Sequence, residues 1–418
     1  MYSPNDKIQI ALIGAGGMGQ GDAKLATSLP GVKLIAAADC YDGRLAHMKE
    51  VYGKDTFTTR NYQEIVDRKD VDAVIIGTPD HWHSRISIDC LNAGKHVYCE
   101  KPMVHAIEEG KTVIGAQHRS GKVFQVGSQY RSSLMYLKAH ELYKSGAIGK
   151  LNMVEAWLDR NTAIGAWQYT IPPDANTTTC DWTQFQGSAP KRAWDPKRFF
   201  RWRNYRDYGT GVAGDLFVHL ITGLHTVTES IGPNRIYATG GLRYWKDGRD
   251  VPDVMLATMD YPETDINPAF NFVLRVNFKS GVDESFGVRF IGSDGTMTVS
   301  FTDLDLEQVP RPDQFDYTIS SFSNAMQARL TTAWEDKHPP ASVSTLNPNG
   351  VKKFTAEGSS PHLEHHRNFY RSIREGAPLI EDATFGLRAA GPALLTNQSL
   401  FENKIMAWNP EAMTVGQG

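Results

Sequence analysis

The turn Gly14-Ala15-Gly16-Gly17-Met18-Gly19 constrains what this chain can fold into more than any other part of it. It reads G-x-G-x-x-G, and its surroundings give the pattern weight. An apolar run of strand length, Ile8 to Ile13, precedes it and a stretch able to form a helix follows. A second apolar run, Lys33 to Ala38, ends at Asp39, 20 residues beyond Gly19. In that setting each residue has a task. Gly14 permits a tight turn, Gly16 lets the backbone approach a pyrophosphate, and Gly19 lets helix and strand pack closely. The helix N-terminus, with Gly17 and Met18 in its first turn, favours an anion. Asp39 can accept hydrogen bonds from the adenosine ribose, its charge repels a 2'-phosphate, and Arg44 follows in the next helical stretch. The expected cofactor is NAD rather than NADP.

From Lys7 to Val126, short β-branched runs alternate with helical stretches, which is how βαβ units with a parallel sheet read. The expected strands are Ile8 to Ile13, Lys33 to Ala38, Ala73 to Ile76, His96 to Cys99 and Val123 to Val126. Helices are expected over Gly19 to Leu29, Gly43 to Tyr52, Tyr62 to Asp67, His83 to Ala93 and Ile107 to Ser120. After Lys150 the strands follow one another through turns: Met153 to Leu158, Arg235 to Tyr244, Val254 to Tyr261, Phe270 to Phe278 and Asp283 to Ile291. Consecutive strands of that kind predict a largely antiparallel sheet. The fold class expected is therefore α/β: a Rossmann doubly wound parallel sheet over 1–128, then an α+β substrate and oligomerisation domain over 129–418. Arg160 to Arg206 has little periodicity and is rich in Trp, Pro, Thr and Arg; a stretch that long without clear elements predicts a lid or binding loop. Helical segments His362 to Glu375 and Phe385 to Asn403 close the chain.

The runs Thr78-Pro79-Asp80-His81-Trp82-His83, Gly94 through Glu100-Lys101-Pro102, and Gly214-Asp215-Leu216-Phe217-Val218-His219 resemble the glucose-fructose oxidoreductase and inositol dehydrogenase family, Gfo/Idh/MocA. So does the tail Glu381-Asp382-Ala383 with Gly386 and Arg388-Ala389-Ala390. The resemblance implies a Rossmann domain joined to an open-faced α+β domain, NAD(P) in the cleft, and oxidation or reduction of a sugar or polyol hydroxyl. It also implies assembly into dimers or tetramers. On its terms Thr78, Pro79, His81, His83, Glu100, Lys101 and Gln129 join the cofactor site, and Lys101, Asp215 and His219 are the catalytic set.

The chemistry of those residues agrees. Hydride loss from a carbinol leaves an alkoxide unless the hydroxyl proton departs too, so a base and a cationic donor are needed. Asp215 and His219 stand four apart on a helix expected from Gly211 to Ser230, which places both on one face. His219 is the expected base, Asp215 its partner or a second substrate contact, and Lys101, at the carboxyl end of a parallel strand, the expected cation. Two departures from the family's Asp-x-Gly-x-His-x-x-Asp, Phe217 and Thr222, predict a substrate pocket different from those of the inositol and glucose-fructose enzymes. The insertion offers ring faces and forked donors suited to a sugar, with Trp167, Arg203 and Tyr208 the expected contacts beside Arg131.

The expected reaction is NAD-dependent hydride transfer at a secondary hydroxyl of a sugar or glycoside, with pyranose C3 the expected position. The competing readings are a redox-neutral NAD-dependent glycosidase of the same superfamily, against which Lys101 counts, and a regulator without turnover. Forty-four Lys and Arg against 47 Asp and Glu leave a net charge of -3, so neither nucleic acid nor a membrane surface is expected as partner. An uncharged sugar fits that balance. Cys40, Cys90, Cys99 and Cys180 form no C-x-x-C pair and read as free thiols. His362, His365 and His366 lack a completing Cys or Asp and read as packing or a polar helix face, so no metal is expected. Met1 to Asp6 shows no basic n-region, which predicts a cytoplasmic protein, or a periplasmic one if an export signal has been removed.

Overall fold

The computed structural model describes residues 7–308, 315–338, 350–356, 358 and 360–416; Met1 to Asp6 lie outside them. Six strands, β1 (Ile8–Ile13), β2 (Val32–Ala38), β3 (Phe57–Thr59), β4 (Ala73–Ile76), β5 (His96–Cys99) and β6 (Phe124–Val126), form a parallel sheet in the order β3-β2-β1-β4-β5-β6. β1 and β4 are buried on almost every residue, as strands covered by helices on both faces must be. The strand order reverses between β1 and β4, and a ligand of such a sheet binds outside the carboxyl ends of its strands there. The first helix begins at Gly17, two residues before the expected start, because the glycine turn itself supplies the first helical turn.

The second sheet has ten strands among the described residues. They are β7 (Leu151–Asp159), β8 (Arg235–Gly241), β9 (Val254–Tyr261), β10 (Phe270–Asn277), β11 (Ser285–Gly292), β12 (Thr296–Val299), β13 (Asp303–Glu307), β14 (Val351–Thr355), β15 (Met406–Asn409) and β16 (Thr414–Val415). Their order is β14-β13-β12-β11-β7-β10-β9-β8-β15-β16. The five strands legible in the sequence are the contiguous centre, β11-β7-β10-β9-β8, where alternate residues are buried and the period is plain. The flanking strands are short, and the outermost β14 buries none of its residues, so their pattern is weak. All pairings are antiparallel except β7 with β10. The helix Asn324–Lys337, absent from the sequence reading, also buries no residue.

The helix Pro361–Glu375 returns to the first sheet: Phe369, Tyr370 and Ile373 pack with Ile8, Ile10 and Leu12. A larger core runs from Ile76 and Val126 through Val154 and Phe272 to Leu387, joining both sheets without a polar break. The four cysteines are free. Among the described residues no helix is long and apolar enough to cross a membrane.

A buried histidine ties this core to pH. His225 touches the Tyr261 hydroxyl at 3.0 Å, and burial, with Arg388 and Arg131 nearby, lowers its pKa to about 3. The unfolded imidazole titrates near 6.5, so the unfolded chain binds a proton that the folded one refuses. Stability from this group is complete above pH 6.5 and falls as pH drops below it. Glu100 and Glu381, raised by burial, pull the other way, so the clean measurement is a difference. Between pH 7 and 5, unfolding free energy of wild type is expected to fall by about 2 kcal/mol relative to His225→Gln. Parallel stability curves for the two proteins would refute this.

Candidate active site

A cavity of about 600 Å³ lies at the switch point. The glycine turn forms one end of it. Gly14 has φ +91°, and a Cβ there would stand 2.5 Å from the Thr78 backbone nitrogen. A Cβ on Gly19 would stand 2.2 Å from the Gly14 carbonyl oxygen, whereas one on Gly17 would meet nothing within 4 Å. The turn is thus packed tight on its inner side and open toward the cavity, which Gly14, Gly16, Gly17 and Met18 line. No side chain caps the helix Gly17–Thr27, so its first N–H groups are left for an anion. Asp39 lines the cavity and accepts from the Ala15 N–H at 2.8 Å and from the Tyr41 N–H at 2.9 Å; Arg44 Nη1 lies 3.5 Å away. These residues fit a dinucleotide: an uncapped helix end for the pyrophosphate, a carboxylate for the ribose.

Thr78, Pro79, Glu100 and Gln129 also line the cavity, whereas Gly19, His81 and His83 do not. Gly19 is taken up by helix packing. The ring nitrogens of His81 lie 3.2 and 2.9 Å from the Tyr208 and Phe185 carbonyl oxygens, and those of His83 lie 2.7 and 2.9 Å from the Pro102 and Thr78 carbonyl oxygens. Each histidine is buried and ties together chain segments that border the cavity.

At the other end, Lys101 follows β5 and donates to Asp215 Oδ1 at 2.7 Å and to the Asp215 carbonyl at 2.9 Å. Arg203 Nε donates to the same Oδ1 at 3.2 Å. Burial alone would raise the Asp215 pKa, but Lys101 and Arg203 hold it well below the usual carboxylate range. Two cations share one carboxylate, which leaves positive charge on the cavity wall. His219 borders the same wall; burial and then Lys101 push its imidazole well below 6.5, so it is neutral at physiological pH and able to take a proton. Its Nδ1 is buried without a partner among the described residues.

The helix expected over Gly211 to Ser230 is not regular: Ala213–Phe217 form a π turn before the α-helix Val218–Thr228. Asp215 and His219 both border the cavity, as their four-residue spacing predicts. Asp215 turns to Lys101 and Arg203, and no hydrogen bond between Asp215 and His219 is present. Such π turns recur at functional sites.

Three expected substrate contacts lie elsewhere. Trp167, with φ 63°, is fully buried with its ring 4.7 Å from that of Phe278. Tyr208 is fully buried, its ring 5.2 Å from that of Phe185. Arg131 donates to the Ile380 carbonyl at 3.2 Å and stacks on Phe385. The rings are spent in apolar cores, Trp167 in the one shared by the two sheets and Tyr208 in the one built around the insertion, while Arg131 is held by the tail that carries Ile380 and Phe385. Arg160, Tyr169, Thr170, Trp202 and His362 line the cavity instead. His365 and His366 do pack, against Ser132 and Asp22, but His362 reaches the cavity. Its position one turn before His366, on the face toward the first sheet, was the signal available in the sequence.

Residues 8–128 match the family model GFO_IDH_MocA, described as the oxidoreductase family, NAD-binding Rossmann fold. The chain is similar to the inositol 2-dehydrogenase of Rubrobacter xylanophilus, 31% identical over 166 residues, which are 39% of this chain and 47% of that protein. It is also similar to the levoglucosan dehydrogenase of Pseudarthrobacter phenanthrenivorans, 27% identical over 225 residues, 51% of this chain and 49% of that protein. The chain thus matches about half the length of these curated relatives. In overall fold it resembles a solved levoglucosan dehydrogenase in complex with NADH and levoglucosan, with a TM-score of 0.69 at 17% identity, covering 96% of this chain and 99% of that one.

Proposed function

Because residues 8–128 are the NAD-binding domain of the Gfo/Idh/MocA oxidoreductase family, we propose that the whole chain is an NAD-dependent dehydrogenase acting on a secondary hydroxyl of a sugar or polyol. The observation that carries this reading is the single cavity that holds the glycine turn and Asp39 at one end and Lys101, Asp215 and His219 at the other. The nicotinamide cofactor supplies the hydride acceptor or donor. Lys101, held in place by Asp215, donates a hydrogen bond to the reacting oxygen and stabilises its developing negative charge. His219, neutral because it is buried beside a cation, takes the hydroxyl proton. Arg203 anchors Asp215, and Tyr169 and Trp202 offer the ring faces that a pyranose stacks on. The hydroxyl to examine first is C3 of a pyranose.

The test is a panel of free sugars, polyols and aryl glycosides with NAD, following reduced-nicotinamide absorbance and aglycone release together. Absorbance of reduced nicotinamide, free or protein-bound, without aglycone release is the expected outcome. Aglycone release with no change in cofactor redox state points to a redox-neutral glycosidase and refutes the dehydrogenase. For the cofactor, Asp39→Ala is expected to reduce the preference for NAD over NADP by about tenfold or more, the worth of one charge-assisted contact and one lost repulsion. Unchanged ratios of kcat/KM for the two nucleotides would overturn the role of Asp39.

A further inference from the structure

The segment between residues 174 and 200 is docked on the first sheet at the point where that sheet meets the adenosine half of the cavity. Tyr41 and Cys180 form an antiparallel bridge, the Asp42 N–H donates to the Thr179 carbonyl at 3.0 Å, and the Asp181 N–H donates to the Cys40 carbonyl at 2.7 Å. Arg60 donates to the Thr178 carbonyl at 2.6 Å, Gln184 to the Arg60 carbonyl, and the Tyr41 hydroxyl to Asp174 at 2.7 Å. Trp82 Nε1 adds a bond to the Phe185 carbonyl at 2.9 Å. These contacts gather around Asp39 and the loops after β2 and β3.

The segment also has a core of its own, which takes in Tyr41 from the first sheet. Phe185 stacks on Phe199 with centroids 4.5 Å apart, Phe199 meets Phe200 at 4.8 Å, and Phe200 meets the Tyr41 ring edge-on at 5.3 Å. Phe185, Phe199 and Phe200, with Gln184, line the same cavity as Asp39, and the Arg44 guanidinium lies 5.5 Å from the Phe200 ring. Phe200, packed on Tyr41, borders the cavity together with Asp39, and backbone pairs tie its segment to the loop after β2. Main-chain hydrogen bonds as well as side chains hold that wall.

We propose that residues 174–200 are a fixed clamp on the adenosine half of the cofactor, with Phe200 as its contact residue, and that the cofactor stays bound while the hydride taken from one substrate's hydroxyl carbon is passed on to the carbonyl carbon of a second substrate, an aldehyde or ketone that takes the hydride and a proton and leaves as the alcohol. This rests on the reading that the cavity holds a nicotinamide dinucleotide, and it says something separate: how slowly that dinucleotide leaves.

The experiment is binding, not turnover. Protein expressed without added NAD is passed through gel filtration, the bound nucleotide is released by acid and counted, and loaded protein is then exchanged against excess labelled NAD. The expected result is close to one dinucleotide per chain, with exchange taking hours. Phe200→Ala is expected to exchange at least tenfold faster. Should that variant fail to fold, Asp174→Asn, outside the cavity, weakens the docking through Tyr41 and is expected to speed exchange by a smaller factor. Wild-type exchange complete within a minute overturns the clamp, as does an unchanged rate in the folded variants. A chain that neither carries nor takes up the dinucleotide overturns both the clamp and the cofactor reading.

Discussion

Lys101→Met is expected to lower kcat by about 10² to 10³ while dinucleotide binding survives, because it removes the ammonium proposed to stabilise the reacting oxygen. The fold should tolerate the change. Asp215 keeps Arg203 as a charged partner at 3.2 Å, and the Lys101 side chain is largely buried against that same pair, so methionine fills its volume. His219→Ala is the companion variant, with a loss of about 10² to 10⁴. The two losses should not add. Base and cation are proposed to act on the same oxygen, so once one is gone the other has less to stabilise. Bound cofactor in both variants, measured by the acid-release count, separates a chemical role from collapse of the site. Activity within threefold of wild type in either variant would sink its assigned role.

Asp215→Ala is expected to be the most damaging single change to the site, because it harms both stability and chemistry. Lys101 and Arg203 would be left facing each other in a buried wall with no carboxylate between them. Removing one partner of a buried ion pair costs about 3–5 kcal/mol, since the remaining charge stays desolvated. Thermal unfolding should fall accordingly, and activity should be lost even at temperatures where the variant is folded, since Lys101 no longer has an anchor. Asp215→Asn is the control: it keeps the shape and an acceptor, so it should recover part of the stability and little of the activity. A full-strength melting temperature for Asp215→Ala would show that the carboxylate does not balance the two cations.

Much of this molecule was readable before any tertiary contact was known. Each expected parallel strand exists within a residue or two, because a strand buried on both faces has to be a short apolar β-branched run, and such runs are bounded by turns. The G-x-G-x-x-G turn was readable for a stricter reason: at Gly14 and Gly19 any Cβ would collide with backbone, so residue identity is tied to local geometry. Less was readable where identity and geometry are only loosely tied. Edge strands such as β14 carry little periodic signal because a single residue, the half-buried Phe354, packs against the core and the others face solvent. The π turn at Ala213–Phe217 is invisible to a period of 3.6 residues, and the hydrogen-bond partners of Asp215, Lys101 and Arg203, come from other segments. The insertion's aromatics were countable, but which rings would face a ligand and which would build its core was not.

Local sequence therefore determined the doubly wound sheet, the glycine turn, Asp39 at the end of β2 and Lys101 at the end of β5, since each depends on residues close by in the chain. Only the tertiary structure decided that Asp215 is anchored by Lys101 from 114 residues away, that His362 enters the cavity, and that Phe200 lines it on a segment docked by a bond from Tyr41 to Asp174 spanning 133 residues. The physical reason is that propensity and periodicity act over a few residues, whereas a contact between distant segments is set by how whole layers pack. A buried charge or ring finds its partner only when that packing is complete.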